Sequence, residues 1–190
     1  MNSHYTVLLD SNVLYPAPIR DLLIQMASAG LYRGKLTAQI NQEWMSNLQK
    51  NRPELKPEYL ERTCELMVAS MPDCLVTEYE VLIPGLTLPD VDDRHVFAAA
   101  IHCNAQMIVT NNIKDFPADT LAKYNIEAQS PDAFLRCQAD LFAGPFLSCV
   151  KAVRGRLKNP QMSAEEYLIQ LGRLGLIQTA SYLGDFVAVI

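Results

Sequence analysis

Two short, β-rich apolar runs constrain this chain most: residues 5–9 (YTVLL) and 107–110 (MIVT), each passing at once into a polar loop. Runs of this length, closed by Asp-Ser-Asn and Asn-Asn, read as buried strands. The pattern between them is largely helical. Pro16 and Pro18 sit where a first helical turn tolerates proline, and Ile19, Leu22, Leu23 and Met26 then recur at helical spacing up to Gly30. Ile40, Trp44 and Leu48 form a second stripe closed by Pro53, and Leu60, Cys64, Met67 and Val68 a third between Pro57 and Pro72. Residues 75–88 are mixed, with Pro84, Gly85 and Pro89 marking turns. Residues 96–103 read as a helix whose Ala98, Ala99 and Ala100 let a neighbouring backbone come close. Past MIVT come a short helix near 118–123, a short strand at 126–128 and a helix from Pro131. Strands alternating with helices point to an α/β core with a mostly parallel sheet.

The last part is helical in pattern. Breaks are expected at Gly144-Pro145 and at Lys158-Asn159-Pro160; beyond them Ser163 and Glu166 have capping-box spacing, and Tyr167, Leu168, Leu171 and Leu174 supply an apolar stripe. We expect a core domain over residues 1–140 and a helical C-terminal extension over 141–190.

With 190 residues, 49% of them hydrophobic and 19% charged, the chain can bury a proper core. Its apolar stretches are interrupted well before the roughly 18 positions of a membrane helix, and its start, MNSHY, lacks the flanks of a secretory signal. A cytoplasmic protein without membrane attachment is expected. Five widely spaced cysteines without a C-x-x-C pair argue against a disulfide framework or thiolate zinc site and read as small buried residues. A net charge of −5 tells against a uniformly basic nucleic-acid coat. Local basic groups still suit phosphate: Arg33 with Lys35, Lys50 with Arg52, and the acid-free run Lys151, Arg154, Arg156, Lys158. Such a run is equally the pattern of a solvated helix face.

Chemistry concentrates in acids. Open parallel sheets gather ligands at the carboxyl ends of their strands. Asp10 follows the first strand directly, Asp115 lies just past the second, and Asp92 and Asp93 open the helix leading into it. Carboxylates converging on one rim repel one another, and a hard divalent cation relieves that repulsion. Each acid alone has an ordinary explanation. Asp10 and Asp115 suit turns, Asp90 and Asp93 have reciprocal-cap spacing, and Glu43, outside the Ile40–Trp44–Leu48 stripe, suits a solvated helix face. His4, His95 and His102 lack zinc-protease spacing and are taken as structural.

Together the segments VLLDSNVLYPAPIRDLL, QEW around Glu43, LPDVDDRHVFAAAIHCNAQMIVTNNIKDFP and YNIEAQSPDAFL resemble the PIN-domain nucleases, and most closely their VapC-like branch of ribonuclease toxins. The resemblance covers about residues 5–137 and continues more loosely into KNPQMSAEEYLIQL. It implies a three-layer α/β/α fold around a central, mostly parallel sheet, plus a C-terminal helical extension. It also implies a Mg2+- or Mn2+-dependent endoribonuclease, acting on single-stranded RNA and neutralised by a cognate, VapB-like antitoxin. Carried over residue by residue, Asp10, Glu43 and Asp93 match the family's first three acids. The fourth departs from the common Thr-x-Asp-x-Asp-Phe pattern: Asn112 stands two positions after Thr110, and a loop one residue longer precedes Asp115-Phe116. Asp115 is taken as the fourth acid, with Asn112 assisting. Asp10, Asp93 and Asp115 are the expected metal ligands, Asp92 an additional one, and Asn12 and Thr110 the groups whose hydrogen bonds aim the carboxylates.

Self-association, and an antitoxin groove along the exposed-looking stripe Ile19, Leu22 and Leu23, are expected on the same resemblance. Two rivals stand beside it. A phosphatase using an aspartate after its first strand would want Asp-x-Asp where this chain has Asp10-Ser11-Asn12. A catalytically silent PIN-fold module binding RNA or protein would not need all four acid positions filled.

Overall fold

The computed structural model describes residues 5–158 and 160–190. The two apolar runs lie side by side as β1 (Thr6–Leu9) and β3 (Met107–Val109), flanked by β2 (Arg33–Lys35) and β4 (Glu127–Gln129) in the order β2-β1-β3-β4. All three pairings are parallel: Val7 faces Gly34 on one side and Met107 on the other, and Ile108 faces Ala128. Every residue of β1 and β3 is buried, as strands covered on both faces must be.

The order reverses between β1 and β3. The first crossover, α1 (Ser11–Leu14) and α2 (Ala17–Ser28), steps outward to β2. The second returns past β1 through α3 (Ala38–Asn51), α4 (Pro57–Ser70), a 3-10 turn (Glu80–Gly85) and α5 (Arg94–His102). The third uses a 3-10 turn (Ile113–Asp115), α6 (Ala118–Leu121) and a second 3-10 turn (Ala122–Tyr124). Crossovers leaving in opposite directions open a crevice at the carboxyl ends of β1 and β3. Ala98, Ala99 and Ala100 are fully buried in α5, which lies against both central strands.

β2 has no counterpart in the sequence expectation. Its sequence, RGK, has neither β propensity nor apolar alternation, and pairing with β1 makes it a strand. Gly34 suits the close packing there: a Cβ would stand 3.0 Å from Met71 Sδ and 3.1 Å from Ala27 Cβ, so these side chains would have to give way.

Four helices follow the sheet: α7 (Pro131–Leu141), α8 (Ala143–Arg156), α9 (Ala164–Arg173) and α10 (Ile177–Gly184). The first expected break falls at Phe142, and Gly144 and Pro145 occupy the opening turn of α8, where a missing N–H does no harm. At the second, Asn159 lies outside the described residues, and Lys158 forms an isolated bridge with Gln161. The capping box closes as expected, with Ser163 N–H donating to Glu166 Oε2 at 2.8 Å and Glu166 N–H to Ser163 Oγ at 3.2 Å. Asp132 of α7 receives the Gln178 and Thr179 N–H groups at 2.9 Å each, capping α10.

Three expectations are corrected by the structure. Ile19, Leu22 and Leu23 are not an exposed stripe; they are buried, because α2 packs on α8 as well as on β2. Arg154 is not a free cation: its Nη1 and Nη2 donate to the Met162 and Ile190 carbonyls at 2.9 Å each. Of the five free cysteines, only Cys74 and Cys149 are buried, and Cys137 is exposed. Among the described residues no helix is long and apolar enough to cross a membrane.

Candidate active site

Asp10 is the first residue past β1, where the chain leaves the sheet at the reversal of strand order. Its N–H continues the ladder to the Val109 carbonyl at 3.1 Å, and its side chain caps α1 by accepting from Ser11 N–H at 2.6 Å. Oδ2 accepts from Thr110 Oγ1 at 2.7 Å and from Asn12 Nδ2 at 2.5 Å. Thr110 is fully buried; its Oγ1 also accepts from Asn12 Nδ2 at 2.9 Å and Asn112 N–H at 3.0 Å. Asn12 Oδ1 takes the Asn111 N–H at 2.9 Å, so Asn12 and Thr110 bind the two strand ends into one network around a carboxylate only 2% exposed. Burial pushes the Asp10 carboxyl above its ordinary range, and Glu43 adds to the rise, against hydrogen bonds from Thr110 and Ser11 that favour the ionised form.

Glu43 reaches this rim because of its neighbour. Trp44 is fully buried on α3, with Arg20 stacked over its ring at 4.8 Å and its indole N–H donating to Asn41 Oδ1 at 3.1 Å. Arg20 also donates to the Leu14 carbonyl at 2.9 Å, fixing α1 beside α3. With Trp44 turned inward, Glu43 lies one position round the helix, half-buried instead of solvated. His95 Nε2 stands 2.9 Å from Glu43 Oε1, and Gln39 Nε2 donates to the same oxygen at 3.1 Å. Burial raises the Glu43 carboxyl, but the hydrogen bond from His95 and its charge when protonated outweigh that, leaving Glu43 below the usual carboxylate range.

Asp93 stands at the N-cap of α5 but makes no capping bond, so the reciprocal cap with Asp90 does not form. Asp90 Oδ1 instead accepts from Asp92 N–H at 2.9 Å. One Asp93 oxygen, Oδ2, is buried without a partner. Burial and the charges of Asp10, Asp90 and Asp115 push its carboxyl up to about 6. Asp115, at the end of its 3-10 turn, is therefore within electrostatic reach of Asp93 despite the longer loop. Asp92 is exposed, and Asp90 is one of the charges that raise Asp93. Asn112 is exposed, and its tie to the network is through its backbone N–H.

His95 is the residue that sequence reasoning assigned to structure alone. Its position two residues past Asp93 on a helix start was the available signal, and its partner Glu43 could be known only from the fold. His102 is exposed, and His4 lies outside the described residues.

Among the described residues, no three carboxylate, imidazole or thiolate groups converge closely enough to ligate one ion as they stand. The donor set nevertheless fits a hard cation. Asp10 and Asp93 are oxygen donors raised by burial and by neighbouring carboxylates, and the orphaned Asp93 Oδ2 has no protein group to satisfy it. A groove of about 810 Å3 runs beside β4 past Ile113, Lys114 and Phe116 and is not lined by these acids.

The family model for the VapC50 C-terminal domain matches residues 131–185. A curated relative, "Putative ribonuclease VapC50" of Mycobacterium tuberculosis, is 39% identical over 80 residues, which is 42% of this chain and 47% of that protein. The match thus spans about half of the relative's length. No solved structure matches the chain. The family model for the PIN domain matches residues 6–114, more than half the chain and the whole of the β1–α5–β3 framework that carries Asp10, Glu43, Asp93 and Thr110, and the chain belongs to the PIN-domain family.

Proposed function

We propose that this chain is a divalent-metal-dependent endoribonuclease that hydrolyses RNA phosphodiester bonds, acting as the toxin of a type II toxin–antitoxin pair. The observation that carries this is Asp93. A carboxylate at a helix start, with no capping bond, one orphaned buried oxygen and a pKa near 6 set partly by three other acids, is a group organised for a cation. PIN-domain membership and the ribonuclease name of the M. tuberculosis relative support the same reading.

Asp10, Asp93 and Asp115 would hold Mg2+ or Mn2+, with Asp92 at the margin; bound there, such an ion lowers the pKa of a water and offsets charge on the scissile phosphate. The remaining work falls to the chain. Thr110, Asn12 and Ser11 keep Asp10 in one orientation, so its charge is aimed before substrate arrives. Glu43, held ionised, orients the attacking water and accepts its proton. In-line attack breaks the P–O3′ bond and leaves a 5′-phosphate and a 3′-hydroxyl. A VapB-like antitoxin that places a basic side chain among the acids would silence them by neutralising the same field. Self-association belongs to this reading as well.

The test is cleavage of single-stranded RNA by the purified chain with Mg2+ or Mn2+ against chelator, beside Asp10→Asn. Cleavage should require the ion and vanish in Asp10→Asn while the melting temperature is largely retained. Undiminished Mg2+-dependent cleavage by that variant would sink the site. A silent binding module would neither cut RNA nor gain stability from Mg2+. Co-expression with the small adjacent gene, read by gel filtration and by relief of toxicity, tests the toxin assignment separately.

A further inference from the structure

The pairing of Glu43 with His95 asks for more than packing. His95 is buried, and among the described residues its ring has a single polar contact, Nε2 with Glu43 Oε1 at 2.9 Å, while Nδ1 is buried without a partner. An unsatisfied buried ring nitrogen carries a desolvation cost that an apolar side chain of similar size would avoid. The ring is therefore a poor choice for filling space. It is a good choice for holding a carboxylate.

The bond also joins elements that otherwise hardly meet. α3, carrying Glu43, and α5, opened by Asp93, have little backbone contact, and among the described residues no other hydrogen bond or ion pair links them. A glutamate side chain has several rotatable bonds, and half-buried on a helix it would sample many positions. Gln39 restrains it only from the same helix. His95 restrains it from the helix that positions Asp93, two residues away. Both of these bonds fall on Oε1, and the Ser11 hydroxyl at the start of α1 is a further group that favours the ionised carboxylate.

We propose that His95 is a positioning residue: its Nε2–H, bonded to Glu43 Oε1 across α3 and α5, holds Glu43 in register with Asp93 on a single phosphate. This rests on the nuclease reading and deepens it.

His95→Phe keeps most of the ring volume and removes the donor, while His95→Gln returns an N–H near the position of Nε2. With Mg2+ and a single-stranded RNA, His95→Phe should lower kcat about 10- to 100-fold with KM little changed, and His95→Gln should recover most of the loss. In a Glu43→Gln background, His95→Phe should cost nothing further, because its effect runs through Glu43. A readout independent of activity is NMR of the ring nitrogens in ion-free protein. His95 should carry its proton on Nε2, and the signal should move in Glu43→Ala. A wild type that cuts RNA beside a His95→Phe variant that cuts equally fast overturns this inference alone, as do ring signals indifferent to Glu43→Ala. A wild type that cuts no RNA overturns the nuclease reading and this inference with it. If His95→Phe does not fold, His95→Gln and the Glu43→Ala spectra decide.

Discussion

Thr110 Oγ1 donates to Asp10 Oδ2 at 2.7 Å, joining the carboxyl ends of the two central strands through a residue that is itself fully buried. The same oxygen accepts from Asn12 and from the Asn112 backbone, so one hydroxyl sets the strand-end carboxylate, the loop behind it and the loop ahead.

Thr110→Val keeps the volume and deletes that hydroxyl. Leaving buried partners unsatisfied should cost about 1–3 kcal/mol of stability, read by urea unfolding, and loss of Asp10 alignment should slow cleavage about 10- to 100-fold. A variant as stable and as active as wild type would show the network to be incidental.

Asp93 makes stability depend on pH in a defined direction. Its folded value of about 6 lies above the ordinary 3.8, so the folded chain holds this proton more tightly than the unfolded one. The stabilisation is complete below about 3.8 and is lost as pH rises through about 6. In chelator, Asp93→Asn should therefore gain on wild type in melting temperature between pH 4 and pH 7. Adding Mg2+ at the upper end should restore wild type and leave the variant behind. Parallel curves for the two proteins would remove Asp93 as the source.

Asp115 and Asn112 can be separated by charge. Asp115 raises Asp93, whereas Asn112 is exposed and joins the network through its backbone. Asp115→Asn should weaken Mg2+ binding and cleavage while Asn112→Ala costs much less. Titrating Mg2+ against rate for both decides the order, and the reverse ranking would give the fourth position to Asn112.

Asp132→Ala tests the tie between α7 and α10. It leaves the Gln178 and Thr179 N–H groups without their acceptor, the second of them buried, and should cost about 1–2 kcal/mol in denaturant unfolding. Cleavage at low temperature, where the protein stays folded, should be unaffected. A loss of activity without a loss of stability would give Asp132 a different role.

What could be read from the sequence was local. β1 and β3 announce themselves as apolar runs, and Asp10 and Asp93 as acids at a strand end and a helix start. The missed features depend on distant partners. RGK becomes β2 only by lying along β1, and Gly34 declares itself only when Met71 and Ala27 close over it. Ile19, Leu22 and Leu23 look unpartnered until α8, far along the chain, covers α2. Glu43 and His95 each resemble an ordinary helix residue, and their chemistry lies in a contact between helices that no periodicity encodes.

The bond between Asp10 and Thr110 spans 100 residues of sequence, and its consequence falls on the chain while it is being made. Until 107–110 have left the ribosome, β1 has no β3 to pair with and Asp10 has no Thr110 to aim it. Long-range parallel pairing is late and slow by nature. A nascent chain, or one broken off early, thus holds Asp10 and Thr110 on separate segments, without the bond that aims the carboxylate. The strand-end network is assembled only with the finished sheet, so the topology itself times its completion.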